Sequence, residues 1–421
     1  MSKFSDKEIN LAIDVLNDYY RQIFENRDIL KNCKFKTILS LCKKMTFLSR
    51  NMTSPVVDEP DDKFLTNKNC IKKDSKTKKC YFCKEMTDSL HHFYDTMCNT
   101  CGDINFNKRD VKLDLTGKTA IVTGGRIKIG FYTALSLLNN GANVIITTRF
   151  PQDALVRFQS LPNWKDIRRN LEIYSVDFTR LSDIKNFCAN VKLKYKKIDY
   201  LINNAAQTIK RPTEFYQTLI EGENKPKLIT DSNSKLIKQD IPNNALVKCK
   251  QNNELFPIGE VDEHGQQLDL RETNSWVLKL DEVPDDEMLE VMLINNFAPY
   301  FLNKELKPLM KKSVNEYSWI INVSSMEGNF SRRYKTVFHP HTNMAKAALN
   351  MMTRTCGRDY IEDNIVMVSV DTGWNTVENP VSYHLKSPLD CIDGASRILD
   401  PIYRNLTQPG IFYKDFVKTD W

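Results

Sequence analysis

A short β-branched run at residues 119–122 leads into Thr123-Gly124-Gly125-Arg126-Ile127-Lys128-Ile129-Gly130. Ala134, Leu135, Leu137 and Leu138 then recur at helical spacing, and Gly141 is placed to cap that helix. Strand, glycine-containing turn and helix in that order open a repeating pattern. Further strands are expected at 143–147, 171–176, 200–202, 319–323, 366–369 and 410–413, with helical stretches between them. Alternation of this length implies an α/β fold, a doubly wound Rossmann-type parallel sheet. Ligands in such sheets bind at the carboxyl ends of the strands, where the polar motifs of this chain fall.

At 421 residues the chain is too long for one small domain and calls for two or three units. No apolar run approaches the ~20 residues of a membrane span. The first residues lack a basic–apolar–small signal layout, and eleven cysteines, an odd number, suit a reducing compartment. A cytoplasmic location with no membrane partner is the expectation. The net charge of +7 is modest over this length. Part of it lies in Lys68, Lys72, Lys73, Lys76, Lys78 and Lys79, read as a solvated linker. Without an accompanying stacking or helix-turn-helix pattern, this run does not favour nucleic acid as a partner.

The N-terminal quarter divides in three. Residues 1–50 form a helical segment: Ser5 and Glu8 have capping-box spacing, followed by apolar residues at helical spacing. Residues 51–75 read as a linker. Residues 76–110 hold Cys80-Tyr81-Phe82-Cys83 and, fourteen residues later, Cys98-Asn99-Thr100-Cys101. Two Cys-x-x-Cys knuckles at that separation present four thiolates to one tetrahedral Zn²⁺, a structural zinc ribbon with no coordination position left for water. His91 and His92, between the knuckles, could substitute for a ligand, but are expected instead in the small core or on its surface.

Residues 112–421 resemble the short-chain dehydrogenase/reductase family, with its motifs in the family's order. The turn from Thr123 and Gly124 to Ile129 and Gly130 is similar to the family's pyrophosphate-binding turn. Asp177 matches the acid that bonds the adenine, and Asn203-Asn204-Ala205-Ala206 the Asn-Asn-Ala-Gly signature. Asn296 aligns with the helix asparagine of the proton relay, Ser325 with the catalytic serine, and Lys346 with the lysine on the nicotinamide ribose. Thr376, in Asp371-Thr372-Gly373-Trp374-Asn375-Thr376, is placed to hold the carboxamide. The resemblance implies a Rossmann fold, a nicotinamide cofactor and a homo-oligomer. More specifically, the sequence resembles a divergent branch carrying an N-terminal four-cysteine segment.

Three departures bear on function. Lys128 stands where the family has glycine; pointing inward, its ammonium would neutralise phosphate. The second strand ends in Thr148-Arg149 instead of an acid for the ribose 2′-hydroxyl, which favours NADP(H) over NAD(H), with Arg126 able to assist. The family's tyrosine, four residues before the lysine, is here Thr342, whose hydroxyl cannot do the same proton transfer. Tyr334, His339 and His341 lie in the longer segment that could fill the gap. About ninety residues separate Asn204 from Asn296. The insertion within them, at about 208–280, is expected near the nicotinamide end as a lid, a binding arm or a surface loop. The sequence thus leads to an NADP(H)-dependent oxidoreductase acting on a small carbonyl or alcohol, with a nucleotide-binding pseudoenzyme, sensor or scaffold, as the alternative.

Overall fold

The computed structural model describes residues 73–224, 235–237, 254–313, 316–332, 335–383 and 385–421. The helical segment expected over 1–50, nearly all of the linker and Tyr334 lie outside the described residues.

Two strands, β1 (Lys73–Lys79) and β2 (Met86–Ser89), form an antiparallel hairpin whose turn carries the first cysteine knuckle. Helix α1 (Asn99–Asn107) starts at the second knuckle, with Cys98 at its N-cap. Lysines 73, 76, 78 and 79 therefore belong to a strand, not to the expected linker. Pairing along β1 runs through backbone groups, which charge in the side chains does not prevent.

The large sheet contains β3 (Thr119–Thr123), β4 (Asn143–Thr148), β5 (Leu171–Ser175), β6 (Tyr200–Asn203), β7 (Lys235–Ile237), β8 (Ser318–Ser324), β9 (Ile365–Asp371), β10 (Phe412–Lys414) and β11 (Val417–Thr419). Its order is β11-β10-β9-β8-β6-β3-β4-β5-β7, and only β11 runs antiparallel to its neighbour. Two strands were not expected. β7 comes from the insertion and extends the sheet beyond β5, and β11 forms within the C-terminal aromatic tail. The strand expected at 410–413 begins two residues later, at Phe412.

Alternation along the central strands divides the core between the two faces, as the period of two requires. Ala120 and Val122 face one cluster with Val144, Ile146 and Ile321; Ile121, Ile145 and Ile320 face the other. Helices α2 (Lys128–Asn139), α3 (Pro151–Gln159) and α9 (Cys391–Tyr403) cover the first face. Helices α4 (Leu181–Lys194), α7 (Ala298–Met310) and α8 (Pro340–Tyr360) cover the second; α5 (Gln217–Asn224) and α6 (Asp285–Met292) belong to the excursion between β6 and β8. Each fully buried aliphatic side chain contributes roughly 1.5–3 kcal/mol. A sheet buried on both faces reads in sequence as continuous apolar runs, which is how the strands showed themselves.

The ribbon packs against the sheet domain within one unit spanning residues 68–421. Its small core of Cys80, Tyr94, Met97 and Cys101 is completed by Leu389. Arg109 reaches Asp390 at 2.9 Å and Asp393 at 2.8 Å, and Lys108 pairs with Asp400 at 2.5 Å.

Candidate functional site

The carboxyl ends of β3, β4, β5 and β6 open onto a cleft of about 310 Å³. It is lined by Gly124, Arg126, Lys128, Ile129 and Gly130 from the first turn, Arg149 and Asp177 from the next two, and Asn204 and Ala205 after β6. Thr376 and Glu378 line its far side. The turn is built for close backbone approach. Gly124 has φ +67°, and a Cβ on Gly130 would stand 2.3 Å from the Gly124 carbonyl oxygen. The Thr123 hydroxyl, buried behind the turn, accepts the N–H groups of Asn204 and Ala205, each at 2.9 Å. The Asn204 amide donates to the Thr123 carbonyl at 2.9 Å. These bonds tie the β6 motif to the glycine turn, so the two segments form one floor of the cleft.

Lys128 adopts φ +55°, the left-handed conformation that glycine takes at lower strain. Its side chain does enter the cleft, where its ammonium lies 3.7 Å from Glu378. Arg211, from the insertion, lies 3.8 Å from the other Glu378 oxygen. Burial would push the Glu378 carboxyl up, but Lys128 and Arg211 hold it below the usual carboxylate range.

The two arginines behave differently. Arg126 is buried and paired with Asp153 at 2.6 Å, so its charge is already matched. Arg149 lies over the rings of Tyr216, at 4.7 Å, and Phe150, at 5.5 Å, and forms no ion pair among the described residues. Tyr216 comes from the insertion, which runs along both ends of the cleft: Thr208 and Trp276 lie against Thr342 and His339, as expected for the nicotinamide end, and Tyr216 lies at Arg149. Arg157 of α3 binds the carbonyls of His264 and Gly265 at 3.0 and 2.8 Å, and β7 joins the β5 edge. These parts of the insertion therefore lie on the side of β4 and β5. Asp177 accepts from the Thr179 N–H at 3.0 Å and hydroxyl at 2.7 Å, which orients it at the cleft wall.

The residues expected to do chemistry lie beyond the cleft floor. Ser325 is half-buried, and its oxygen accepts the Glu327 N–H at 3.3 Å, capping a short turn. Lys346 is buried and donates to the Val323 carbonyl at 2.8 Å; burial draws its pKa down to about 8. Thr342 stands one turn earlier on α8, its hydroxyl 3.4 Å from the carbonyl oxygen of Thr208, a cleft residue.

His339 is committed to packing. It stacks on Trp276 at 4.0 Å, its Nδ1 is 2.8 Å from the Trp276 carbonyl, and its Nε2 is 3.3 Å from Glu327. Burial raises the Glu327 carboxyl, but His339 and Arg332 outweigh it and hold the pKa at about 2. His341 is buried, with no hydrogen bond to either ring nitrogen among the described residues; the Glu287 carboxylate lies 3.9 Å away.

Two residues at this end escaped the sequence reading. The inward asparagine of the pair in α6–α7 is Asn295, which exchanges hydrogen bonds with the Gln207 backbone at 2.7 and 2.8 Å. Asn296 is half-buried, and its side chain makes no hydrogen bond among the described residues. A π-turn over Leu293–Phe297 sets this register, and such turns concentrate at functional sites. The buried Asp371 accepts the N–H groups of Met326 and Gly373, both at 2.6 Å, and so joins the Ser325 turn to the Thr376 turn.

In the ribbon, Cys80, Cys83, Cys98 and Cys101 are free thiols whose sulfurs all lie within 4.8 Å of one another. A tetrahedral Zn²⁺ with ~2.3 Å bonds needs sulfurs about 3.8 Å apart. Burial pushes the Cys80 thiol up, but the N–H groups of Cys98, Cys83 and Phe82 overcome this and bring it to about 7. The set fits a structural zinc ion. His91 is not a fifth candidate: it is buried, and its Nδ1 accepts the Phe93 and Tyr94 N–H groups.

Floor, glycine turn and strand order define a Rossmann protein with a nucleotide cofactor site. Sequence comparison narrows the class. The short chain dehydrogenase model matches residues 118–220, and the enoyl-(acyl carrier protein) reductase model of the same family matches 273–386. The chain belongs to the short-chain dehydrogenase/reductase family. It is 33% identical over 358 residues to the uncharacterized protein R665 of Acanthamoeba polyphaga mimivirus, covering 79% of this chain and 73% of that protein. Mouse retinol dehydrogenase 13 is 33% identical over 95 residues, 23% of this chain and 28% of that enzyme. Among solved structures, the carbonyl reductase Sniffer of D. melanogaster superposes with a TM-score of 0.49 at 18% identity, covering 73% of this chain and 100% of that one. Among the described residues no helix is long and apolar enough to cross a membrane.

Proposed function

We propose that the chain is an NADP(H)-dependent oxidoreductase acting on a small carbonyl or alcohol. The observation that carries the cofactor choice is Arg149. It stands at the end of β4, without an ion-pair partner among the described residues and packed on Tyr216, where an NAD-selective site would present a carboxylate. A guanidinium stacked on a ring and in ion-pair contact with no carboxylate among the described residues, with Asp177 and Glu290 acting on it only at longer range, is suited to a 2′-phosphate.

When bound, the cofactor supplies the hydride. This chain's residues hold it: Gly124–Gly130 through backbone N–H groups, Lys128 through charge, Asp177 at the adenine, and Thr376 at the carboxamide. Ser325 would bond the substrate oxygen, and Asn295 would orient the relay that the sequence assigned to Asn296. Lys346 supports the enzyme reading, because a buried lysine with no ion-pair contact among the described residues, its charge favoured only by Asp371 at longer range, is costly to retain unless its near-neutral proton is used. His341, adjacent in sequence to Thr342 and buried, is a group able to stand in for the missing phenol.

A second reading, a nucleotide-binding sensor or scaffold, is favoured by Thr342 itself: its hydroxyl is turned to the Thr208 carbonyl and has no proton to exchange near neutrality. A panel of carbonyl compounds added to the protein with NADPH separates the two. Oxidation of NADPH on any of them establishes the enzyme; tight binding with no oxidation across aldehydes, ketones and quinones leaves the sensor. In both readings the zinc ion is structural, and a homo-oligomer and a cytoplasmic location accompany the proposal.

A further inference from the structure

The turn that carries Thr376 is gripped from outside the sheet domain. The Tyr81 hydroxyl, between Cys80 and Cys83, accepts the Trp374 N–H at 3.1 Å. The Trp374 indole then donates to the Thr376 carbonyl at 2.9 Å. At Gly373, with φ +76°, an added Cβ would lie 3.6 Å from the Tyr81 hydroxyl, so the knuckle borders the turn on this side as well. The other end of the same segment is held as well. Leu389 fills the ribbon's core, and Asp390, the N-cap of α9, receives two bonds from Arg109 at 2.9 Å. Asp393, in the first turn of α9, accepts from Tyr94 at 2.5 Å and Arg109 at 2.8 Å.

A structural ribbon needed only for stability would have no reason to place a phenol on this one amide. We propose that the four-cysteine ribbon is a positioning module for the cofactor's nicotinamide end, with Tyr81 as the positioning residue acting through Trp374 on Thr376. The metal, by fixing Cys80 and Cys83 on either side, fixes where Tyr81 stands. Loss of the metal releases the turn and weakens the grip on the nicotinamide half, while the adenosine half, held by β3–β5, is untouched. This inference rests on the reading of the cleft as an NADP(H) site.

The test uses the zinc-loaded full chain and Tyr81→Phe, which keeps the ring and removes only the acceptor. Binding of NADPH is compared with binding of 2′,5′-ADP, a probe that carries the 2′-phosphate but no nicotinamide. The expected result is a loss of about five-fold for NADPH, the size of one net hydrogen bond, with 2′,5′-ADP unchanged. Amide exchange at residues 371–376 should quicken while β3 keeps its protection. Chelation of the zinc should reproduce the same selective loss, and added Zn²⁺ should reverse it. If both probes bind the native protein and Tyr81→Phe weakens neither, or weakens both alike, the positioning role is wrong and the cofactor reading stands. If neither probe binds the native protein, the cofactor reading fails and this inference falls with it.

Discussion

Lys346 is the residue whose chemistry differs most from that of a free side chain. It is buried, its ammonium donates to one carbonyl, and burial brings its pKa from the ordinary 10.5 to about 8. The sign of the consequence is fixed. Below pH 8 the lysine is charged in both folded and unfolded chains, and the fold bears the full burial penalty. Between pH 8 and 10.5 the folded chain sheds the proton first, so the penalty fades as pH rises. At about 1.4 kcal/mol per unit, Lys346→Met should be more stable than the native chain at pH 7 by roughly 3 kcal/mol. Thermal melts across this range should show that advantage shrinking above pH 8. An advantage independent of pH would mean that the lysine is not titrating in the fold. The same substitution should abolish any NADPH-dependent turnover. Stability and activity pulling in opposite directions is the mark of a group kept for function.

Among elements, the β3–turn–α2 unit has the least freedom. A Cβ on Gly130 would stand 2.3 Å from the Gly124 carbonyl oxygen and 2.4 Å from the Asn204 amide. Gly130→Ala should therefore push the turn off the Asn204 floor and lower NADPH affinity more than ten-fold, with the far-ultraviolet helix signal unchanged; calorimetric titration measures the first and circular dichroism the second. This unit was legible because everything that shapes it is local: a β-branched run, glycines, a helix period. So were the two cysteine knuckles, whose spacing is itself the chemistry. What could not be read was set by distant partners. β7 is three residues whose only claim to being a strand is the β5 edge beside it. β1 hides behind its lysines, because charge reports on side chains and pairing on backbone. Asn295, not Asn296, is the buried member of the pair because the π-turn changes the helix phase, which a constant 3.6-residue period cannot anticipate. Asp371 and Tyr81 matter only through amides far away in sequence.

At the scale of the whole molecule, the cleft is assembled from four regions: the first half of the Rossmann domain, the insertion, the Thr376 turn and, behind that turn, the ribbon. The first half resembles its relatives. The insertion and the ribbon are where this chain departs from them; the insertion reaches both ends of the cleft, and the ribbon reaches its Thr376 end. The insertion supplies Tyr216 to Arg149 and Arg211 to Glu378; the ribbon supplies Tyr81 to Trp374. Everything proposed here depends on what occupies that cleft, so the most direct measurement is equilibrium binding of NADPH and NADH to the native protein and to Arg149→Ala. An NADP(H) site predicts tighter binding of NADPH than NADH in the native chain. It also predicts a ten- to hundred-fold loss for NADPH in the variant, with NADH changed by less than about two-fold, the scale of a charge-assisted bond to phosphate. Equal affinity for the two nucleotides in the native chain, or equal losses in Arg149→Ala, would contradict it.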